Sequence, residues 1–110
     1  MCDLAQRHCV PCSGGTPPLE PAAATALHLQ LVGGWRLTGG QHHLHKVYRF
    51  ADFAQALDFT NRVGAIAEAE GHHPDILLAW GRVELSIWTH AIDGLTESDF
   101  VLAARCDAAL

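Results

Sequence analysis

The chain has 110 residues, 49% of them hydrophobic and 17% charged, with a formal net charge of −5. That is enough apolar material for one domain with a real core. The acidic balance and the lack of a basic run argue against nucleic-acid binding, and no apolar stretch approaches the roughly 20 residues of a membrane span.

Residues 1–18 read as an irregular N-terminal arm, because Ser13-Gly14-Gly15-Thr16-Pro17-Pro18 is rich in helix and strand breakers. The arm has no apolar core of a secretory signal, so a cytoplasmic location is expected, with Cys2, Cys9, Cys12 and Cys106 as thiols. Cys9-Val10-Pro11-Cys12 is a CxxC without the second pair that a zinc ribbon needs. His8 or a histidine from 42–45 would have to complete a metal site there. The plainer expectation is no metal, with the cysteines packed as small apolar groups.

The domain proper is expected over 19–110. Pro21 suits the first position of a helix. Ala23, Leu27 and Leu31 follow at four-residue spacing as its buried stripe, and Gly33-Gly34 ends it. A short strand at Trp35–Thr38 turns at Gly39-Gly40 into a second strand from about His42 to Phe50. There, alternation puts Leu44, Lys46, Tyr48 and Phe50 on one face and His43, His45, Val47 and Arg49 on the other. Of the three histidines in this strand only His43 and His45 share a face, too few to hold a metal, so they read as polar strand surface.

Asp52-Phe53-Ala54-Gln55 has the form of a capping box. It opens a helix over about 53–70 whose expected core stripe is Phe53, Ala56, Leu57, Thr60, Val63 and Ala67. Gly64 inside it costs about 1 kcal/mol against alanine, and close approach to the sheet is the expected reason. Gly71 ends the helix and leads into His72-His73-Pro74.

Two strands over 75–80 and 82–89 then reverse near Gly81. In the second, Val83, Leu85, Ile87 and Thr89 alternate with Glu84, Ser86, Trp88 and His90, and the first set is expected to face the helices. Pairing centred on residue 81 sets His90 opposite His72 and Thr89 opposite His73, roughly 4.5–5.5 Å apart. Three imidazoles would meet at the open end of one hairpin. Thr96 as N-cap and Asp99 three residues on open a last helix to about Ala108.

The order α-β-β-α-β-β-α predicts an α+β fold, a four-stranded antiparallel sheet with helices packed on one face. The uncovered face and free strand edges make self-assembly expected. Histidines grouped in this way suit proton transfer near neutral pH.

The run EGHHPDILLAWGRVELSIWTH, followed by AIDGLTESDFVLAARCD, resembles the signature of the pterin-4a-carbinolamine dehydratases, with the match extending from about Trp35 to Asp107. The resemblance implies the same fold, assembled as homodimers or homotetramers. It implies active-site roles for His72, His73 and His90, with Glu68 and Asp99 on positions of family carboxylates. Glu68 also reads as a solvated helix-end residue and Asp99 as a capping residue. Pro74 would fix the backbone after the histidines. The implied reaction converts 4a-hydroxytetrahydrobiopterin to quinonoid dihydropterin and water, without cofactor or metal. Its implied purpose is to recycle the cofactor of an aromatic amino-acid hydroxylase such as phenylalanine hydroxylase. Other members of the family are dimerisation cofactors of a homeodomain transcription factor, so a non-catalytic interaction protein is one alternative, and a metal-binding module using Cys9 and Cys12 is another. The chain departs from many relatives at Gly71, where they carry an acid or Asn, at Ile76-Leu77-Leu78, where they carry Trp-Phe-Asn, and at the Trp80-Gly81 turn.

Overall fold

The computed structural model describes residues 4–7, 9, 17–31, 33–39 and 42–110. Along them run α1 (Pro21–Gln30), β1 (Arg36–Thr38), β2 (His43–Arg49), α2 (Phe53–Glu70), β3 (Asp75–Ala79), β4 (Arg82–Ile87) and α3 (Glu97–Ala108), with short 3-10 turns at Leu4–Gln6 and His90–Ile92. The element order is the one expected. The strands form a single antiparallel sheet in the order β1-β2-β4-β3. The fourth strand in sequence therefore lies inside, paired on both sides.

Alternation in β2 and β4 fixes the buried face. Leu44, Val83, Leu85 and Ile87 are fully buried and Tyr48 nearly so, together with Phe59 from α2 and Phe100 and Leu102 from α3. Lys46 shares that face. Its charge is met by Asp107 near the end of α3, with Nζ 2.6 Å from Oδ1. The Tyr48 hydroxyl donates to the same oxygen at 2.5 Å and the Trp35 indole N–H to Oδ2 at 3.0 Å. A Cβ at Gly33 would collide with both Asp107 and Lys46, so this glycine lets the chain pass close over the network.

Two apolar stripes differ from the sequence expectation. In α1 the buried residue is Ala24, with Leu27 and Leu31 partly buried against the core, while Ala23 is exposed. The stripe follows three- and four-residue steps where a uniform four-residue step was read. In α2 the buried set is Ala56, Phe59, Val63 and Ala67. Phe53 and Leu57 remain 43% and 40% exposed. Phe59, absent from the expected stripe, packs its ring 4.5 Å from Tyr48 and 5.3 Å from Phe50. Of the capping box expected at Asp52 one half is seen, its Oδ1 accepting from the Gln55 N–H at 2.8 Å.

Gly64 has no close neighbour on the sheet: a Cβ there meets nothing within 4 Å. The expected explanation is overturned, and the glycine only costs helix stability. Gly64→Ala should therefore stabilise the fold by about 0.4–1 kcal/mol, read as a raised urea midpoint. A lower midpoint would mean that the site needs glycine after all.

Within the stretch read as an irregular arm, Leu4–Gln6 form one 3-10 turn and Leu4 is buried. Arg105 Nε donates to the Arg7 carbonyl at 2.7 Å, and Arg7 pairs with Glu97. The Cys9 N–H donates to Glu70 Oε1 at 2.7 Å and its thiol lies 3.4 Å from the Ser98 carbonyl. Cys2, His8, Cys12 and the Ser13–Thr16 breakers lie outside the described residues, as does Gly40 of the first hairpin turn. Among the described residues no three metal-ligating side chains come together, and no helix is long and apolar enough to cross a membrane.

Burial first, then the nearby Glu70 carboxylate, pushes the Cys9 thiol up to about 12 from its ordinary 9.0. Burial and then Asp107 push Cys106 up to about 12. Burial and the bond to Asp107 raise Tyr48 as well. In each case the unfolded chain gives up its proton first. Stability is therefore complete below about pH 9 and falls as pH rises towards about 12. Thermal melting followed across that range should show a steady drop in midpoint, and a flat profile would contradict the burial of these groups.

Candidate functional site

Helix α2 stops at Gly71, whose φ of 64° suits glycine and turns the chain sharply. His72 and His73 follow at once, and Pro74 leads into β3. Asp75 pairs with Ser86 and Ala79 with Arg82. Trp80 and Gly81 together make the turn, Gly81 with φ of 68° and with Phe50 O only 3.0 Å from a hypothetical Cβ.

This register is one residue away from the pairing centred on 81. Continued to the open end of the hairpin, it sets Thr89 opposite His72 and Trp88 opposite His73. His90 is not opposite His72. It has left the strand and begins the 3-10 turn His90–Ile92, just beyond the Thr89–Gly94 bridge. The difference arises because both Trp80 and Gly81 are spent on the turn. The three histidines still gather. A pocket of about 260 Å³ is lined by His72, His73, Trp88, Thr89 and His90, with Gly71 and Ala91 at its margin.

Each of the three imidazoles has its own carboxylate. His72 Nε2 lies 2.5 Å from Asp99 Oδ1, with the His72 side chain only 13% exposed and Asp99 fully buried. The other oxygen of Asp99 accepts from the Thr96 N–H at 2.8 Å and from the Thr89 hydroxyl at 2.8 Å. The first of these bonds belongs to the capping box of α3, which is complete. Asp99 thus caps α3 with one oxygen and meets His72 with the other. His73 Nε2 lies 2.8 Å from Glu68 Oε1, one turn back along α2, with both side chains mostly in solvent. His90 Nε2 stands 3.8 Å from Asp75 Oδ1, within ion-pair range but beyond a hydrogen bond. The site thus has one deep imidazole, bonded to a buried carboxylate, and two at the surface.

Sequence reasoning missed Asp75 and the part played by Trp88 and His43. His43, read as plain strand surface, stacks on Trp88 with ring centroids 4.1 Å apart and planes 24° apart. Its Nε2 lies 3.4 Å from Asp93 Oδ1. His45 instead turns to Glu84, at 3.2 Å. The signal was present in the alternation of β2 and β4, which puts His43 and Trp88 on the same outer face. It needed the register between these strands, and they are far apart in sequence.

The family model described as Pterin 4 alpha carbinolamine dehydratase matches residues 17–109. The chain belongs to that family. A protein named as a pterin-4-alpha-carbinolamine dehydratase in Rubrobacter xylanophilus is 53% identical over 107 residues, covering 97% of this chain and 98% of its own. One so named in Alkaliphilus metalliredigens is 49% identical over 107 residues, covering 97% and 96%. Among solved structures, a transcriptional coactivator/pterin dehydratase from Brucella melitensis superposes with a TM-score of 0.79 at 28% identity, over 84% of this chain and 98% of that one. A pterin dehydratase-like protein identified as a RuBisCO assembly factor in the alpha-carboxysome gives 0.62 at 29% identity, over 71% and 90%. The carbinolamine dehydratase family therefore spans both the sheet and the histidine pocket of this chain.

Proposed function

We propose that the chain dehydrates a pterin-4a-carbinolamine, 4a-hydroxytetrahydrobiopterin or a close relative, to the quinonoid dihydropterin and water. The observation that carries this reading is three histidines, each beside a carboxylate, around one pocket in a member of the dehydratase family. In the reaction the C–O bond at the carbinolamine carbon breaks and the hydroxyl leaves as water after gaining a proton. The neighbouring nitrogen supplies the electron pair for a new C=N bond, and a ring N–H gives up a proton. Electrons balance without an oxidant, so proton donors and acceptors near neutral pH are sufficient.

His72 and His90 act as the acid and base, and His73 positions the pterin or shares in proton transfer. Asp99, Glu68 and Asp75 orient the three rings, and Pro74 fixes the backbone between His73 and β3. Stopped-flow measurement on enzymatically generated carbinolamine tests this, with an acceleration expected both with and without chelator. No acceleration, or one that vanishes with chelator and returns with zinc, would overturn it.

The same reading assigns the chain to recycling the cofactor of an aromatic amino-acid hydroxylase in the cytoplasm. A hydroxylase assay limited by carbinolamine should speed up when the chain is added. A homodimer or homotetramer is also proposed. Leu77, 48% exposed, and Trp80, 73% exposed, leave apolar surface about the free β3 edge. Light scattering at micromolar concentration should return a multiple of 11.9 kDa. The names of the Brucella and carboxysome structures support a second reading, a non-catalytic interaction protein, which predicts no acceleration in the same assay.

A further inference from the structure

We propose that Trp88 is the wall against which the flat, two-ring body of the substrate packs, and that His43 is a positioning residue holding that wall. The inference rests on the dehydratase reading for the nature of the ring, and on the sheet for its geometry.

Leu44–Ile87 is the last pair of the β2–β4 ladder, and just beyond it the His43 and Trp88 rings meet. The β3–β4 ladder ends at Asp75–Ser86, and beyond it Trp88 and His73 line the same pocket. Trp88 therefore has His43 stacked against it from the β2 side, and it shares the pocket with His73, which precedes β3. The β2 side is closed by the stacked His43 ring at 4.1 Å. The other side opens into the pocket that His72 and His73 line. His90 meets the indole nearly at right angles, with centroids 4.3 Å apart.

His43 is itself held. Gly39 lies against it so closely that an added Cβ would stand 3.2 Å from Nδ1. Asp93, in the turn after His90–Ile92, lies near Nε2. The indole is thus backed by one imidazole and edged by another, with one side left towards the pocket. An indole face is large, rigid and electron-rich, and it favours offset stacking with a flat heteroaromatic ring. The three site histidines can move protons, but none of them selects for a planar body or keeps water from one side of it.

The test uses the full chain and the variants Trp88→Leu, Trp88→Phe, His43→Ala and His43→Phe, with folding checked by circular dichroism. Stacking on an aromatic side chain contributes roughly ten- to hundredfold in affinity. Trp88→Leu should raise KM by about that factor with a smaller change in kcat. His43→Ala should raise KM several-fold, and His43→Phe, which keeps a stacked ring, should restore it. A KM unchanged in active Trp88→Leu, or a loss confined to kcat, would overturn the wall, the latter assigning Trp88 to the support of His90 alone.

A binding arm separates this inference from the dehydratase reading. Oxidised 7,8-dihydrobiopterin, which cannot be dehydrated, should quench the fluorescence of Trp88. The quench should largely disappear in Trp88→Phe, where Trp35 and Trp80 remain. If wild type accelerates no dehydration but this quench appears, the reaction is wrong and the wall stands. If wild type is active and the quench is the same in Trp88→Phe, the wall is wrong and the reaction stands.

Discussion

Changing His72 and His90 to alanine together should lower kcat far more than either change alone. Each single variant is expected to lose activity within or below the roughly 10²–10⁴-fold range of general acid–base catalysis, because the remaining histidine, His73 and water still move protons. The double variant leaves a pocket in which His73, 56% exposed and paired with an exposed Glu68, is the only imidazole of the three. Groups that act as one unit give losses that do not add. kcat and KM for the two single variants and the double, in folded protein, decide the matter. If both folded single variants kept full activity, the assignment of these histidines would be wrong and the interaction-protein reading would lead.

The second large effect is expected in stability. Asp99→Ala removes the acceptor for the Thr96 N–H, the Thr89 hydroxyl and His72 in one step, from a position with no solvent exposure. Loss of the cap costs about 1 kcal/mol, and each buried donor left unpaired adds about 1–3 kcal/mol. With the Thr96 N–H counted in the cap, the Thr89 hydroxyl and His72 bring the expected loss to about 3–7 kcal/mol in urea unfolding. Glu68→Ala is the matched control. Its carboxylate also faces an imidazole, but at 81% exposure, so its removal should leave the unfolding midpoint where it was. Equal effects of the two changes would contradict the burial of the Asp99 network.

Much of this fold was legible where one residue type has one physical use. The Thr96–Asp99 box, the Asp52 cap, the Gly71 stop and the apolar alternation of β4 all read directly, because each is decided within a few residues. The parts that failed depend on partners distant in sequence. The β3–β4 register turns on whether one or two residues make the bend, and Trp80, an apolar aromatic, suits the end of a strand as well as a turn beside Gly81. That choice moved His72 from His90 to Thr89. The burial of Phe59 instead of Phe53 and Leu57 depends on how far α2 rolls on the sheet, which Tyr48 and Phe50 decide from another strand. A glycine in mid-helix suggests close packing, yet the space beside Gly64 is open. His43 reads from the sequence as strand surface, and its neighbour Trp88 comes into view only when β2 and β4 are paired.

The two oxygens of Asp99 do different work. One caps α3 and ties it to Thr89, and the other faces His72. A descendant of this chain that gave up turnover could lose His73, Glu68 or His90 with little harm to its fold, since all three are exposed. It could not discard the aspartate so freely. Finding that aspartate in a distant relative is therefore poor grounds for assigning an activity to it. On the assignment proposed above, the outer histidines, which the scaffold does not need, are the better witnesses to whether the chemistry has been kept.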